Sequence, residues 1–169
     1  MSSLRYITSS SASSVSSMSF TNCFTSDFDV YKISLTEIEF ADGDMFFRFI
    51  DSSGIPVTDS SYQDAVLLMR SYGSFADNYG QSLDMLGSIG YDDNQNGGGC
   101  TTLWVFNPNS TSLYTTAIWE NTGQSSIGPP VRKGIGSLDS TAEITGITFI
   151  GNATIEKVAA TVYGLRIET

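Results

Sequence analysis

The chain has 169 residues, long enough for one domain with a real core; 40% of them are hydrophobic and 12% aromatic. Eight Lys and Arg against 18 Asp and Glu give a net charge of −10, so no basic stripe exists for phosphate contacts, which excludes nucleic acid and an anionic membrane surface as direct partners. There is no histidine, which removes Ser-His-Asp and Cys-His catalysis and histidine zinc sites.

Ser and Thr make up about a quarter of the chain and charged residues only 15%, a polar but weakly charged surface that favours strands. The first 17 residues, MSSLRYITSSSASSVSS, are Ser-rich and read as either a solvated arm or an edge strand. Without a continuous apolar stretch they are no signal peptide, and no run later in the chain is long enough for a membrane span. Residues 15–20 (VSSMSF) lead into a turn at Thr21-Asn22. Residues 30–40 (VYKISLTEIEF) alternate, with Tyr31, Ile33, Leu35 and Glu37 on one face. Asp42-Gly43 then separates this run from MFFRFI at 45–50, the pattern of a tight hairpin.

Residues 51–61 read as a loop. The stretch 62–72 (YQDAVLLMRSY) fits a helix through Ala65, Leu68, Met69 and Tyr72, or a buried strand around AVLLM. Further strands are expected at 83–90, at 101–106, where both faces are apolar as in mid-sheet, and at 113–121. A Gly/Pro-rich loop is expected over 121–136, then strands at 143–150 and 160–167 joined by a short turn. Roughly eight to ten short antiparallel strands in one all-β domain imply a β-sandwich or jelly roll over 18–169.

Signals for chemistry are few. In YDDNQNGGGC, Asp92, Asn94, Asn96 and Gly97 match the first half of a calcium-loop pattern, but the twelfth position is Leu103 rather than Glu. Asp92, Asp93, Asn94 and Asn96 therefore remain a calcium candidate set against a solvated loop. The pairs Asp92/Asp93, Asp42/Asp44 and Glu37/Glu39 read as turn or surface residues, not a glycosidase dyad. Trp104 and Trp119, with Tyr91 and Tyr114, could form an aromatic platform for a sugar ring but read as core or subunit contacts. Arg132-Lys133 is the one basic pair, placed by the pattern in a mobile loop. Cys23 and Cys100 read as two buried thiols, and Asn109 and Asn152 begin glycosylation sequons that matter only in a secretory pathway.

The order of segments SSVSSMSFTN, DVYKISLTEIE, SGIPVTDSSYQDA, LWVFNPNS, ITGITFI and VYGL resembles small jelly-roll virion structural proteins of tailed bacteriophages, of marine and cyanobacterial type, from about residue 14 to 165. The resemblance implies a non-enzymatic virion protein without cofactor, assembled in the host cytoplasm. It implies either a capsid decoration (cement) protein or a tail-fibre or receptor-binding tip that recognises host-surface carbohydrate. The missing fibre-forming repeats favour decoration, with the major capsid protein or other virion proteins as partners and a homo-oligomer as the assembled form. Leu4, Tyr6 and Ile7 in the arm, and Arg132 and Lys133, are the expected partner contacts.

Overall fold

The computed structural model describes residues 3–40, 43–71, 73, 75–92, 98–123 and 128–166. Every regular element among them is a strand: β1 (Ser3–Ala12), β2 (Val15–Phe20), β3 (Val30–Phe40), β4 (Gly43–Asp51), β5 (Tyr62–Arg70), β6 (Ala76–Leu83), β7 (Leu86–Asp92), β8 (Gly99–Phe106), β9 (Thr115–Thr122), β10 (Pro130–Leu138) and β11 (Ile144–Arg166). All their pairings are antiparallel, and the expected all-β sandwich is what the chain forms.

The organiser is β11, one strand of 23 residues where a strand, a turn and a second strand were expected. Its C-terminal half pairs with β1 and β3, its N-terminal half with β2 and β4. Pairing lapses around 152–154, where the strand passes from one layer to the other. The larger layer runs β6-β5-β10-β9-β8-β3-β11 with β1 beyond it, and β4-β7 and β2 flank the other half of β11. Across the interior, β7 packs against β3, β5, β8, β9 and β10.

The expected hairpin at Asp42-Gly43 does not form. β3 and β4 lie end to end along successive halves of β11 and do not pair with each other. The cause is local packing: Gly43 is pressed so close to β11 that a Cβ there would sit 2.9 Å from Asn152 Oδ1 and 3.0 Å from Ala153. The same Asn152 oxygen accepts the Asp44 N–H at 2.8 Å. From Gly43 the chain thus continues along β11 instead of returning along β3.

Within β3, Tyr31, Ile33 and Leu35 are buried as their alternation predicts, but Glu37 leaves that face. It has φ 55° and is exposed, and the β3–β8 and β3–β11 registers both shift beside it. This bulge inserts one residue and returns Ile38 and Phe40 to the core, which strict period two would have turned outward. Fully buried Phe47 and Phe49 from β4, Trp119 from β9 and Phe149 from β11 fill the centre with them.

Two further corrections concern small residues. The Gly/Pro-rich segment expected to be a loop supplies most of β10, which is paired along its whole length with β5 and nearly all of it with β9. Its glycines are demanded by packing: a Cβ on Gly134 would lie 2.1 Å from Trp119 Cε2, and one on Gly136 2.5 Å from Leu86 Cδ2. The strand expected at 83–90 is split, Leu83 ending β6 and β7 starting at Leu86. The ambiguous stretch 62–72 supplies a strand, β5. Its Tyr62 hydroxyl accepts the Phe49 N–H at 2.9 Å and donates to the Val57 carbonyl at 3.3 Å.

Candidate functional site

The registers of the larger layer, read across one after another, place eight side chains in a single row on its outer face. Tyr79 lies opposite Ala65, Ala65 opposite Ile135, Ile135 opposite Ile118, Ile118 opposite Trp104, Trp104 opposite Lys32, Lys32 opposite Tyr163, and Tyr163 opposite Tyr6. Each strand contributes one residue, because directly opposed residues in an antiparallel pair point to the same face. Tyr79 is 79% exposed, Tyr6 62% and Ile135 57%. Lys32 places its ammonium 5.8 Å from the Trp104 ring centroid, and Tyr6 meets Tyr163 edge to face at 6.3 Å.

Charge is balanced on this face of an acidic molecule. Beside the row, Lys133 pairs with Glu120 at 2.5 Å, and the rest of its neighbours on β8, β3 and β11 are hydroxyls, Thr102, Ser34 and Thr161, opposed in turn. Toward the β6 end the face hollows into a groove of about 490 Å³, lined by Ala65, Tyr79, Ile118 and Ile135 with Gln63, Gln81, Thr116 and Ser137 around them. Asp64 also borders it, but its carboxylate accepts the Gly87 N–H at 2.7 Å from the opposite layer. Burial raises the Asp64 carboxyl above its usual pKa, against the opposing pull of that hydrogen bond.

A second cluster lies between the layers. Arg132 Nη1 reaches Asp44 Oδ1 at 2.5 Å and the Ser88 hydroxyl, and Ser88 donates to the same carboxylate at 2.6 Å. These groups line a crevice of about 300 Å³ with Asp64, Val66 and Leu68. Their geometry ties β10 to β4 and β7, a structural strut between the sheets.

The expected contact residues are partly brought together. Leu4 and Tyr6 are exposed on β1, at the end of the aromatic row, while Ile7 packs against the core at the β1 bulge. Arg132 and Lys133 sit in β10 rather than in a loop and diverge as neighbours in a strand must, Arg132 inward and Lys133 outward. Trp119 is core, edge-on to Phe47 at 5.6 Å. Trp104 belongs to the outer row and exposed Tyr114 precedes β9. Asp44, expected on a hairpin turn, is instead engaged by Arg132.

Residues 93–97, including Asp93, Asn94 and Asn96 of the calcium candidate, lie outside the described residues; Asp92 ends β7. Among the described residues no three Cys, Asp or Glu side chains gather to hold a metal ion. The two cysteines are free. Cys23 is buried, which pushes its thiol up to about 12, and Cys100 is exposed, contrary to expectation. The amide of Asn109 donates to the Phe24 and Ile144 carbonyls at 3.4 and 3.2 Å, so this sequon serves as a structural tie.

No protein-family model matches the chain, and no curated protein matches it. Among solved structures it is similar to a fructofuranosidase from Schwanniomyces occidentalis complexed with fructosylnystose, at 10% identity and a TM-score of 0.25 over 98% of this chain and 34% of that one. It is also similar to the D1-D2-D3 domains of the flagellar cap protein FliD from Escherichia coli, at 10% identity and a TM-score of 0.16 over 92% of this chain and 55% of that one. The chain spans about a third of the fructofuranosidase, and likenesses of this size carry no argument about activity.

Proposed function

We propose that this chain is a structural protein of a bacteriophage virion, a decoration module that holds to the outer surface of the capsid. The observation that carries the reading is the edge strand β1. Among the described strands it pairs with β11 alone, so its other edge faces no described strand, and it presents Leu4 and Tyr6, 44% and 62% exposed. Such an edge accepts a strand from a capsid subunit, main-chain hydrogen bonds giving affinity and the two side chains burying apolar area. Net charge of −10 keeps unassembled copies soluble by mutual repulsion, and several copies engaging one lattice multiply a modest affinity. The sequence resemblance to phage virion proteins points the same way. The alternative reading, a tail-fibre or receptor-binding tip, is favoured by the groove at Tyr79.

The test is a cryo-electron microscopy reconstruction of virions carrying the chain, with a Leu4→Ser/Tyr6→Ser variant alongside. Density repeating over the capsid lattice, and a variant whose occupancy falls at least about 10-fold while its fold is intact, is the expected result. Density confined to the tail end refutes the decoration reading.

A further inference from the structure

We propose that the groove at the β6 end of the outer face is a binding site for a neutral saccharide chain. This deepens the alternative reading, the receptor-binding tip, by naming the ligand class of its groove, and does not rest on the decoration reading.

Size and shape come first. At about 490 Å³ the groove falls within the range of ligand clefts, roughly 300 to 1,000 Å³. Its floor is aliphatic, Ala65, Ile118 and Ile135, and its wall is the ring of Tyr79, 79% exposed at a sheet edge. A tyrosine left this open forgoes the burial that usually stabilises it, and an amphipathic ligand restores that burial while leaving the hydroxyl in water.

Polarity selects the ligand class. The groups around the floor are two carboxamides, Gln63 and Gln81, and two hydroxyls, Thr116 and Ser137. Gln63 already donates to Asp139 Oδ2 at 2.7 Å, which fixes its amide and leaves the carbonyl oxygen as acceptor. The one bordering carboxylate, Asp64, is held by Gly87 N–H. In a chain of net charge −10 this lining offers neither a cation for an acidic ligand nor a free carboxylate for a basic one. A ligand with an apolar face and a neutral rim of hydroxyls matches it, which is the chemistry of a pyranose: C–H groups stack on Tyr79 and the isoleucines, hydroxyls meet the amides and hydroxyls at the rim. From the groove the row continues through Trp104, and its cross-strand steps of about 4.8 Å are comparable to one sugar unit of an extended chain. A polymer laid along the row meets a repeating surface.

The experiment is isothermal titration of the full chain with three neutral probes, maltohexaose, cellohexaose and N-acetylchitohexaose, and one acidic probe, hexagalacturonate. At least one neutral probe is expected to bind and the acidic one to bind at least about 10-fold more weakly. Tyr79→Ala is expected to weaken the neutral probe about 10-fold, the scale of one aromatic contact. Tyr79→Phe, which keeps the ring, stays within about twofold, and so does Ile55→Ala, an exposed residue outside the row and the groove. Circular dichroism of each variant establishes that it is folded. Absence of binding by all three neutral probes at about 10 mM, equal or tighter binding of hexagalacturonate, or a neutral probe indifferent to Tyr79→Ala overturns the proposal. Failure of the saccharide site removes the support that the groove gives the tip reading and leaves the decoration reading, which rests on β1 and is tested on virions, where it stood.

Discussion

Replacing Gly134 by alanine tests whether the interior is packed as described. The added Cβ would lie 2.1 Å from Trp119 Cε2, 2.2 Å from Cζ2 and 2.5 Å from Nε1, against a relaxed carbon contact of about 3.5 to 4.0 Å. The indole must therefore move by more than an ångström. It is fully buried with Phe47 edge-on behind it at 5.6 Å, so retreat is blocked. Overpacking of this kind costs roughly 1 to 3 kcal/mol, and the depth of the overlap argues for the upper end. Alanine recovers at least about 0.5 kcal/mol of backbone entropy relative to glycine, leaving a net loss of about 2 kcal/mol. Trp119→Phe withdraws the benzo end of the indole, and in that background Gly134→Ala is expected to cost under about 0.5 kcal/mol. Guanidinium unfolding of the four chains, followed by far-ultraviolet circular dichroism, closes the cycle. If the two changes add within about 0.5 kcal/mol, the Gly134–Trp119 contact does not set the register of β10 on β9.

Three further outcomes follow from individual groups. Glu37→Val, which forces a β-branched residue into φ 55°, is expected to lower stability by about 1 to 2 kcal/mol, while Glu37→Gly is neutral or stabilising because the exposed ion pair it loses, with Lys157 Nζ at 3.0 Å, is worth little; equal unfolding midpoints would contradict the bulge. Cys23 has a folded pKa raised by burial from 9.0 to about 12, so its contribution is intact below pH 9 and lost as pH rises toward 12, about 2 kcal/mol by pH 10.5. Cys23→Ala should flatten that alkaline decline, and Ellman's reagent should titrate Cys100 alone in the native chain and both thiols in guanidinium. Asp64, also raised by burial, contributes stability below its unfolded pKa and loses it as pH rises above it, so Asp64→Asn should gain stability relative to the native chain between pH 3 and pH 7.

Much of the fold was legible because alternation is a local signal. Tyr31, Ile33 and Leu35 are buried where period two puts them, and β8, apolar on both faces, lies mid-sheet between β3 and β9. The failures came where a distant contact decides. Gly134 and Gly136 look like loop residues until Trp119 and Leu86 are seen to need their space. Asp42-Gly43 looks like a hairpin until β11 offers partners to both flanking strands, and Glu37 breaks the alternation through a bulge that no neighbour in sequence announces.

The outer row was illegible for a stronger reason. Its members, from Tyr6 to Tyr163, are scattered over the chain and meet only through seven successive registers, each of which flips a whole strand if it slips by one residue. Trp104 and Trp119 show what that costs a reader of sequence. The two are alike in pattern, yet Trp119 opposes Leu103 on the inner face and Trp104 opposes Ile118 on the outer one. One is therefore packed beside Phe47, and the other belongs to the surface where Lys32 covers it. What separates core from outer face in this protein is parity within the sheet, and parity is a property of the pairing, not of the residue. Leu4, Tyr6 and Ile7 stand out in sequence as apolar residues of a Ser-rich segment, but only the pairing turns Ile7 toward the core and joins Tyr6 to the row whose far end is the Tyr79 groove.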